Sequence, residues 1–271
     1  MMNINKDTLL CMSLAARPGN FGTRFHNYLY EKLGLNYIYK AFTTRDLAAA
    51  IGGVRALGIR GCAVSMPFKE DCIPYLDELD SSARAIESVN TIVNTDGYLK
   101  AYNTDFIAIE RLLAKHQVSP DSAFALRGSG GMAKAVAGAL HNAGFRQGVI
   151  IARNEKTGRH LAELYGYRWQ ADETGLDAAL LINVTPVGMA GGAGAEELSF
   201  SEPYIARAGR VFDVVALPAE TPLIQYARLH DKAVITGAEV IAIQALEQFV
   251  LYTGVRPDDA LVERAAAYAR G

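Results

Sequence analysis

A chain of 271 residues that is 50% hydrophobic and 21% charged is neither disordered nor low-complexity, and it has room for two modest domains. Its 27 basic and 29 acidic side chains leave a formal net charge of −2, with no Lys/Arg run to form a surface for nucleic acid or an anionic membrane. Three cysteines without a CxxC spacing, five scattered histidines without an HxxxH or HExxH pair, and an N-terminal apolar stretch too short for a spanning helix or a signal peptide predict a reduced, cytoplasmic protein with no disulfide framework, metal or export.

Short apolar or β-branched runs alternate with longer amphipathic ones, the pattern of strands joined by crossover helices that builds parallel sheets, so the predicted class is α/β. Strands are expected at 9–13, 37–42, 61–65 and 89–93, with helices at 23–33 and 45–57. A further helix should begin at Asn103 or Thr104, either of which can accept from the orphan N–H groups of a first turn, and run through FIAIERLLAKH into a second domain. From Ala123 the pattern restarts as FALRGSGGMAKAVAGALHNAG, GVIIARN, a helix through His160 and Tyr165, ALLINV and VFDVV, which are successive βα units. Residues 191–197 lack any periodicity and read as a flexible stretch. After Gly237 two helices follow without a strand between them; they cannot extend a doubly wound sheet and are expected to pack back on the first domain.

Five segments could carry chemistry. Gly128, Ser129, Gly130, Gly131, Met132 and Ala133 lie between a strand and a helix, where glycines permit a tight turn and let backbone N–H groups approach a pyrophosphate; the alternative is a plain βα turn. Downstream, where an acidic residue would bind a ribose 2′-OH, stand Arg153 and Lys156, which favour a 2′-phosphate and hence NADP over NAD, with Glu155 close by; the alternative is two solvated cations. In Ser65-Met66-Pro67-Phe68-Lys69, Pro67 suits a first helical turn and places Lys69 near the positive helix end, a poor place for an ammonium and a good one for a proton-exchanging amine; the alternative is a lysine snorkelling to water. Asn90-Thr91 and Asn103-Thr104-Asp105 put polar groups at strand ends where they could hold a hydroxylated ligand or simply cap a helix.

Taken together these segments resemble the shikimate dehydrogenase family. The likeness runs in order from about residue 25 to residue 254 through His26-Asn27, Ser65-x-Pro67-Phe68-Lys69, Val89-Asn90-Thr91, Asn103-Thr104-Asp105, Gly128-x-Gly130-Gly131, Asn183-x-Thr185-Pro186-x-Gly188-Met189, Asp213, Pro218-x-x-Thr221-Pro222-Leu223 and Gln244. The resemblance implies an N-terminal α/β substrate and catalytic domain at 1–103, a Rossmann-type NADP domain at 104–237, and C-terminal helices at 238–271 completing the first. It also implies a monomer or homodimer, a place in aromatic amino acid biosynthesis, and reversible reduction of 3-dehydroshikimate to shikimate. By the same resemblance Lys69 and Asp105 are the catalytic pair. Ser65, standing where the family usually has Thr, Asn90 and Gln244 bind substrate. Asn183, Thr185, Pro186, Gly188 and Met189, together with Val214 and Gly237, line the cofactor, for which NADP is expected and NAD is possible.

The chain departs from the family at the substrate signature. Where the family has two serines and a proline before His-Asn, this sequence has Asn20, Gly22 and Thr23, so Asn20 and Arg24 become the candidates for an anionic substrate group. Ala216 replaces a tyrosine, Glu239 a common glycine, and Ala152 an asparagine. A lost hydrogen-bonding partner costs large factors in discrimination, so the expected activity is on a related cyclic hydroxy acid or weakly on shikimate. The competing reading is a non-catalytic paralogue that binds the ligand or NADP in a regulatory role.

Overall fold

The computed structural model describes residues 4–271. The chain divides into two compact units, residues 1–104 with 242–271 and residues 105–241.

In the first unit the chain runs β1 (Leu9–Leu14), α1 (Phe21–Lys32), β2 (Tyr37–Phe42), α2 (Leu47–Ala56), β3 (Gly61–Val64), α3 (Phe68–Asp71), β4 (Glu78–Leu79), α4 (Ser81–Arg84), β5 (Thr91–Thr95) and β6 (Tyr98–Tyr102). The sheet order is β2-β1-β3-β5-β6-β4. β1 pairs in parallel with β2 and β3, but β5 is antiparallel to both β3 and β6, so the sheet is mixed rather than parallel throughout. β6 arises because Asp96 and Gly97, with φ of 51° and 88°, make the two-residue left-handed turn that matches the twist of an antiparallel hairpin.

Alternation along β1 sends Cys11 to one face and Met12 and Leu14 to the other. The Cys11 face is covered by Phe25, Leu29 and Tyr30 of α1 and by residues of two later helices, α10 (Gly237–Thr253) and α11 (Asp259–Arg270), among them Phe249, Tyr252 and Ala265. The C-terminal helices therefore complete this unit, as a strandless pair must if it is to bury its apolar stripe. Packing there is close: a Cβ on Gly61 would stand 2.3 Å from the Tyr252 ring, so β3 needs a glycine at that position.

The second unit begins in the first turn of α5 (Thr104–Lys115) and continues through β7 (Phe124–Arg127), α6 (Gly131–Asn142), β8 (Gly148–Ile151), α7 (Glu155–Tyr165), β9 (Arg168–Gln170), β10 (Leu180–Asn183), α8 (Glu202–Arg207), β11 (Arg210–Asp213), α9 (Pro222–Leu229), β12 (Ala233–Ile235) and the first turn of α10. Every pairing in its sheet is parallel, in the order β12-β11-β10-β7-β8-β9. Read from β9, this is the doubly wound 3-2-1-4-5-6 order, with the reversal between β7 and β10. The inner strands β7, β8, β10 and β11 are buried along most of their length and include unbroken apolar runs such as Leu180-Leu181-Ile182, whereas the edge strand β9 has no buried residue. Residues 191–197 are not loose coil: Gly188 N–H bonds to Gly194 O (2.9 Å), Gly192 N–H to Met189 O (3.1 Å) and Glu197 N–H to Gly194 O (3.1 Å), a series of closed turns in place of the flexible stretch expected.

Candidate functional site

In the first unit a buried polar cluster forms where β5 starts and β6 ends. Asn90 is 1% exposed, and its Oδ1 accepts from Thr104 N–H (2.7 Å), Thr104 Oγ1 (3.1 Å) and Thr91 Oγ1 (2.8 Å). The long-range amide thereby serves the first N–H of α5, whereas Asn103 donates its own amide to Ser88 O (2.9 Å). The Asn90 Nδ2 is buried without a partner, a cost of about 1–3 kcal/mol that an acceptor on a ligand would offset. Asp105 follows Thr104 directly, in the first turn of α5, and is 7% exposed.

Ser65 follows β3 directly and is exposed; its N–H bonds to Leu14 O and its carbonyl accepts from Phe68 N–H. Pro67 precedes α3 rather than lying within it, and α3 is one turn of four residues. The helix end expected beside Lys69 is therefore too short for a substantial macrodipole. Lys69 is instead positioned by its backbone, since its carbonyl accepts from Val89 N–H (2.8 Å), and its side chain is half-buried. Gln244 is half-buried on α10, and one turn further on Gln248 is 4% exposed and donates to Asn90 O (3.3 Å) and Thr91 Oγ1 (3.0 Å). The sequence singled out Gln244 but not Gln248, whose i+4 position on the same helical face was the available signal. Asn20 and Arg24 are exposed at the start of α1, and no side-chain cap closes that helix.

In the second unit the glycine turn lies between β7 and α6. Gly128 has φ +125°, and a Cβ there would meet Val184 Cγ2 at 2.7 Å. Gly130 is the N-cap residue of α6 without a side-chain cap, and Cβ atoms on Gly130 and Gly131 would project into open space. An uncapped helix end with room in front of it suits a pyrophosphate, so these residues fit a dinucleotide. Ala133 is fully buried beneath the turn, Met132 follows in the first helical turn, and Ser129 Oγ hydrogen-bonds Thr157 Oγ1 (2.7 Å), tying the loop to α7. Arg153 and Lys156 are exposed at the head of α7, while Glu155 pairs with Arg159 (2.7 Å).

Asn183, expected to line the cofactor, is engaged within the chain. Its Nδ2 donates to Asp213 Oδ1 (3.0 Å) and Val187 O (3.2 Å), and its Oδ1 accepts from Thr185 N–H (3.0 Å) and Thr185 Oγ1 (2.7 Å). With donors and acceptor engaged inside the chain and no exposure, Asn183 shapes the 185–189 turn. Thr185 and Pro186 begin that turn, Gly188 takes φ +86°, and Met189 is 42% exposed at its tip. Val214 is half-buried, with its N–H bonded to Asn183 O (3.0 Å). Gly237 is a glycine for packing: a Cβ would stand 2.2 Å from Val215 O.

Two departures from the family pattern also acquire physical reasons. Glu239 closes a capping box with Thr236, accepting from Thr236 N–H (3.0 Å) and Oγ1 (3.2 Å), and its Oε1 meets His116 Nε2 (3.0 Å). Burial raises its pKa, but Thr236 and His116 outweigh that and leave it below the usual carboxylate range. Its role is to start α10. Ala152 lies under Gly158, whose absent side chain lets α7 settle on the strand end and on Trp169.

Asp213 accepts from Asn183, Val215 N–H (3.0 Å) and Thr221 Oγ1 (2.7 Å), and Thr221 in turn caps α9. Burial nonetheless pushes its pKa up to about 6. Because the unfolded carboxyl ionises near 3.8, this group favours the folded state most below pH 4, and that contribution of about 3 kcal/mol is lost as pH rises to 6. Asp213→Asn is expected to remove this slope; an unchanged pH dependence of the unfolding midpoint between pH 4 and 6 would contradict it.

Among the described residues no group of three or more His, Cys, Asp or Glu side chains is placed to hold a metal ion, and no helix is long and apolar enough to cross a membrane. The three cysteines are free and buried; burial pushes Cys11 and Cys72 up to about 12 and raises Cys62 as well, so none is a thiolate nucleophile at neutral pH.

Residues 21–92 match the shikimate dehydrogenase substrate binding domain. A shikimate dehydrogenase-like protein of Haemophilus influenzae is 59% identical over 267 residues, covering 98% of each chain. The solved structure of a shikimate 5-dehydrogenase-like protein, also 59% identical, superposes with a TM-score of 0.98 over 99% of this chain and 100% of that one. Shikimate 5-dehydrogenase of Thermus thermophilus, solved with NADP(H) and shikimate, is 30% identical with a TM-score of 0.84 over 96% of this chain and 99% of its own. On this identity, coverage and ordered set of motifs, the chain belongs to the shikimate dehydrogenase family.

Proposed function

We propose that this protein is an NADP-dependent oxidoreductase that interconverts 3-dehydroshikimate and shikimate, or a closely related cyclic hydroxy acid, with altered or weak activity on shikimate itself. The observation that carries the reading is the head of α6, an uncapped helix end with open space before Gly130 and Gly131, in a relative of an enzyme solved with NADP(H) and shikimate. Residues 128–133 hold the pyrophosphate through backbone N–H groups. Arg153 and Lys156 hold the 2′-phosphate, and the pairing of Glu155 with Arg159 leaves less negative charge to repel it. Thr185, Pro186, Gly188, Met189 and Val214 border the nicotinamide, which when bound exchanges hydride with the alcohol carbon.

The chain's own residues supply the rest. Lys69 Nζ exchanges the alcohol proton, Asp105 hydrogen-bonds and orients the reacting group, and the free donor of Asn90, with Ser65 and Gln244, binds substrate oxygens. With Asn20 and Gly22 in place of serines, Arg24 and Asn20 are the groups for an anionic substituent. That same departure favours a second reading, a regulatory paralogue that binds ligand without turnover.

Initial rates for shikimate and quinate, each with NADP and with NAD, test the proposal. NADPH formation with at least one acid is expected, at a higher kcat/KM than with NAD. Stabilisation by a cyclic acid without any turnover would favour the regulatory reading, and no response to either acid or to NADP would overturn both.

A further inference from the structure

We infer that Gln248 is a positioning residue that fixes which end of the Asn90 amide faces a ligand; the inference deepens the proposed function and rests on it for the identity of that ligand. The backbone N–H of Thr104 can only donate, so the Asn90 atom 2.7 Å from it is the oxygen. The hydroxyl of Thr104 adds a second donor to the same oxygen at 3.1 Å. The third comes from Thr91, whose Oγ1 lies 2.8 Å from Asn90 Oδ1 and 3.3 Å from Thr104 Oγ1.

A threonine hydroxyl has one hydrogen and can send it either way, and Gln248 sets its direction. The Gln248 Nε2 is purely a donor, 3.0 Å from Thr91 Oγ1 and 3.3 Å from Asn90 O. Thr91 therefore accepts from Gln248, and its own hydrogen is left for Asn90 Oδ1. With three donors on the oxygen, the amide cannot turn over, and Nδ2 is left as a buried N–H pair without a partner. The result is a hydrogen-bond donor aimed at an acceptor oxygen of the ligand: a hydroxyl, ketone or carboxylate. Gln248 reaches this position from α10, more than 150 residues away along the chain, so it couples the C-terminal helix to the binding group through Thr91.

The test uses the full-length protein with Gln248→Leu, which removes the donors at similar size, and Gln248→Glu, which keeps the shape and replaces a donor by an acceptor. Two quantities are read in each: the Asn90 side-chain amide resonances, assigned by their loss in Asn90→Asp, and the dissociation constants for shikimate and for NADP. The expected result is a shifted and faster-exchanging Asn90 amide in both variants, shikimate binding weakened roughly tenfold, about 1.4 kcal/mol, and NADP binding unchanged. Where turnover is measurable, KM for the acid rises with kcat nearly constant, which a general loss of folded protein would not produce. Asn90 resonances identical to wild type, or a shifted amide with unaltered shikimate affinity, overturn the inference. If the wild-type protein binds no cyclic acid, the proposed function fails, and the amide resonances alone decide for or against Gln248. Should the leucine variant not fold, the glutamate variant carries the same readouts.

Discussion

Lys69→Ala is expected to lower kcat for the preferred cyclic alcohol by about 10²- to 10⁴-fold, and Asp105→Asn by a comparable factor, with NADP affinity retained in both. Lys69 carries the amine assigned to proton exchange in the proposed function, and its backbone carbonyl accepts from Val89 N–H, so the side chain starts from a defined point. Asp105 follows a residue held by two hydrogen bonds to Asn90, which places its carboxylate at the fixed beginning of α5. Removing either group is expected to take away proton exchange or its orientation while leaving the glycine turn at 128–133 untouched. Unaltered turnover in either variant would eliminate the proposed chemistry. Measurement of NADP binding by fluorescence separates lost chemistry from lost fold.

The second large effect is on stability in acid. His26 is fully buried, its ring stacked on Tyr39 at 4.5 Å with 5° between planes, and neither ring nitrogen finds a partner at hydrogen-bonding geometry. Burial lowers its pKa to about 3, against 6.5 for an exposed histidine; Gln248 beside it opposes the shift only weakly. The folded protein refuses a proton that the unfolded chain takes up, so the stabilisation is complete above pH 6.5 and is lost progressively as pH falls towards 3. The full difference is about 5 kcal/mol. Asp213 works in the opposite sense over pH 4 to 6, because its proton stays on longer in the folded state. His26→Phe keeps a ring against Tyr39 and removes the protonation site. In wild type the two groups nearly cancel between pH 6 and pH 4 and the decline is expected below pH 4, whereas the variant's unfolding midpoint is expected to rise from pH 6 to pH 4 through Asp213 and to lack the His26 decline below that. The same decline in both proteins would show that other groups govern acid unfolding.

Much of the fold is written in short-range pattern. The repeated βα units after Ala123 are legible because buried parallel strands are unbroken apolar runs and their helices are not, and the strandless pair after Gly237 announces its own attachment to the first sheet. The β5–β6 hairpin is also written there, in Asp96-Gly97, although a reading tuned to crossover helices passes over it. The Thr236-x-x-Glu239 box is a similar case: a local capping signal that resembles a change in a binding contact when only the family pattern is considered. Asn183 and Gln248 are harder. Both are amides at the right place in the chain, and only the partners of each nitrogen and oxygen distinguish one that braces a turn from one that directs a neighbouring amide. Those partners lie 30 and 157 residues away.

The interrupted first unit has a consequence for how the protein is made. Its aromatic core joins Phe25, Leu29 and Tyr30 to Phe249 and Tyr252, so on the ribosome the opening third of the chain emerges without the surfaces that will cover it. Residues 105–241 form a continuous stretch and can fold as soon as they leave the exit tunnel, whereas the earlier sheet must wait, with one face bare, for α10 and α11 to be translated.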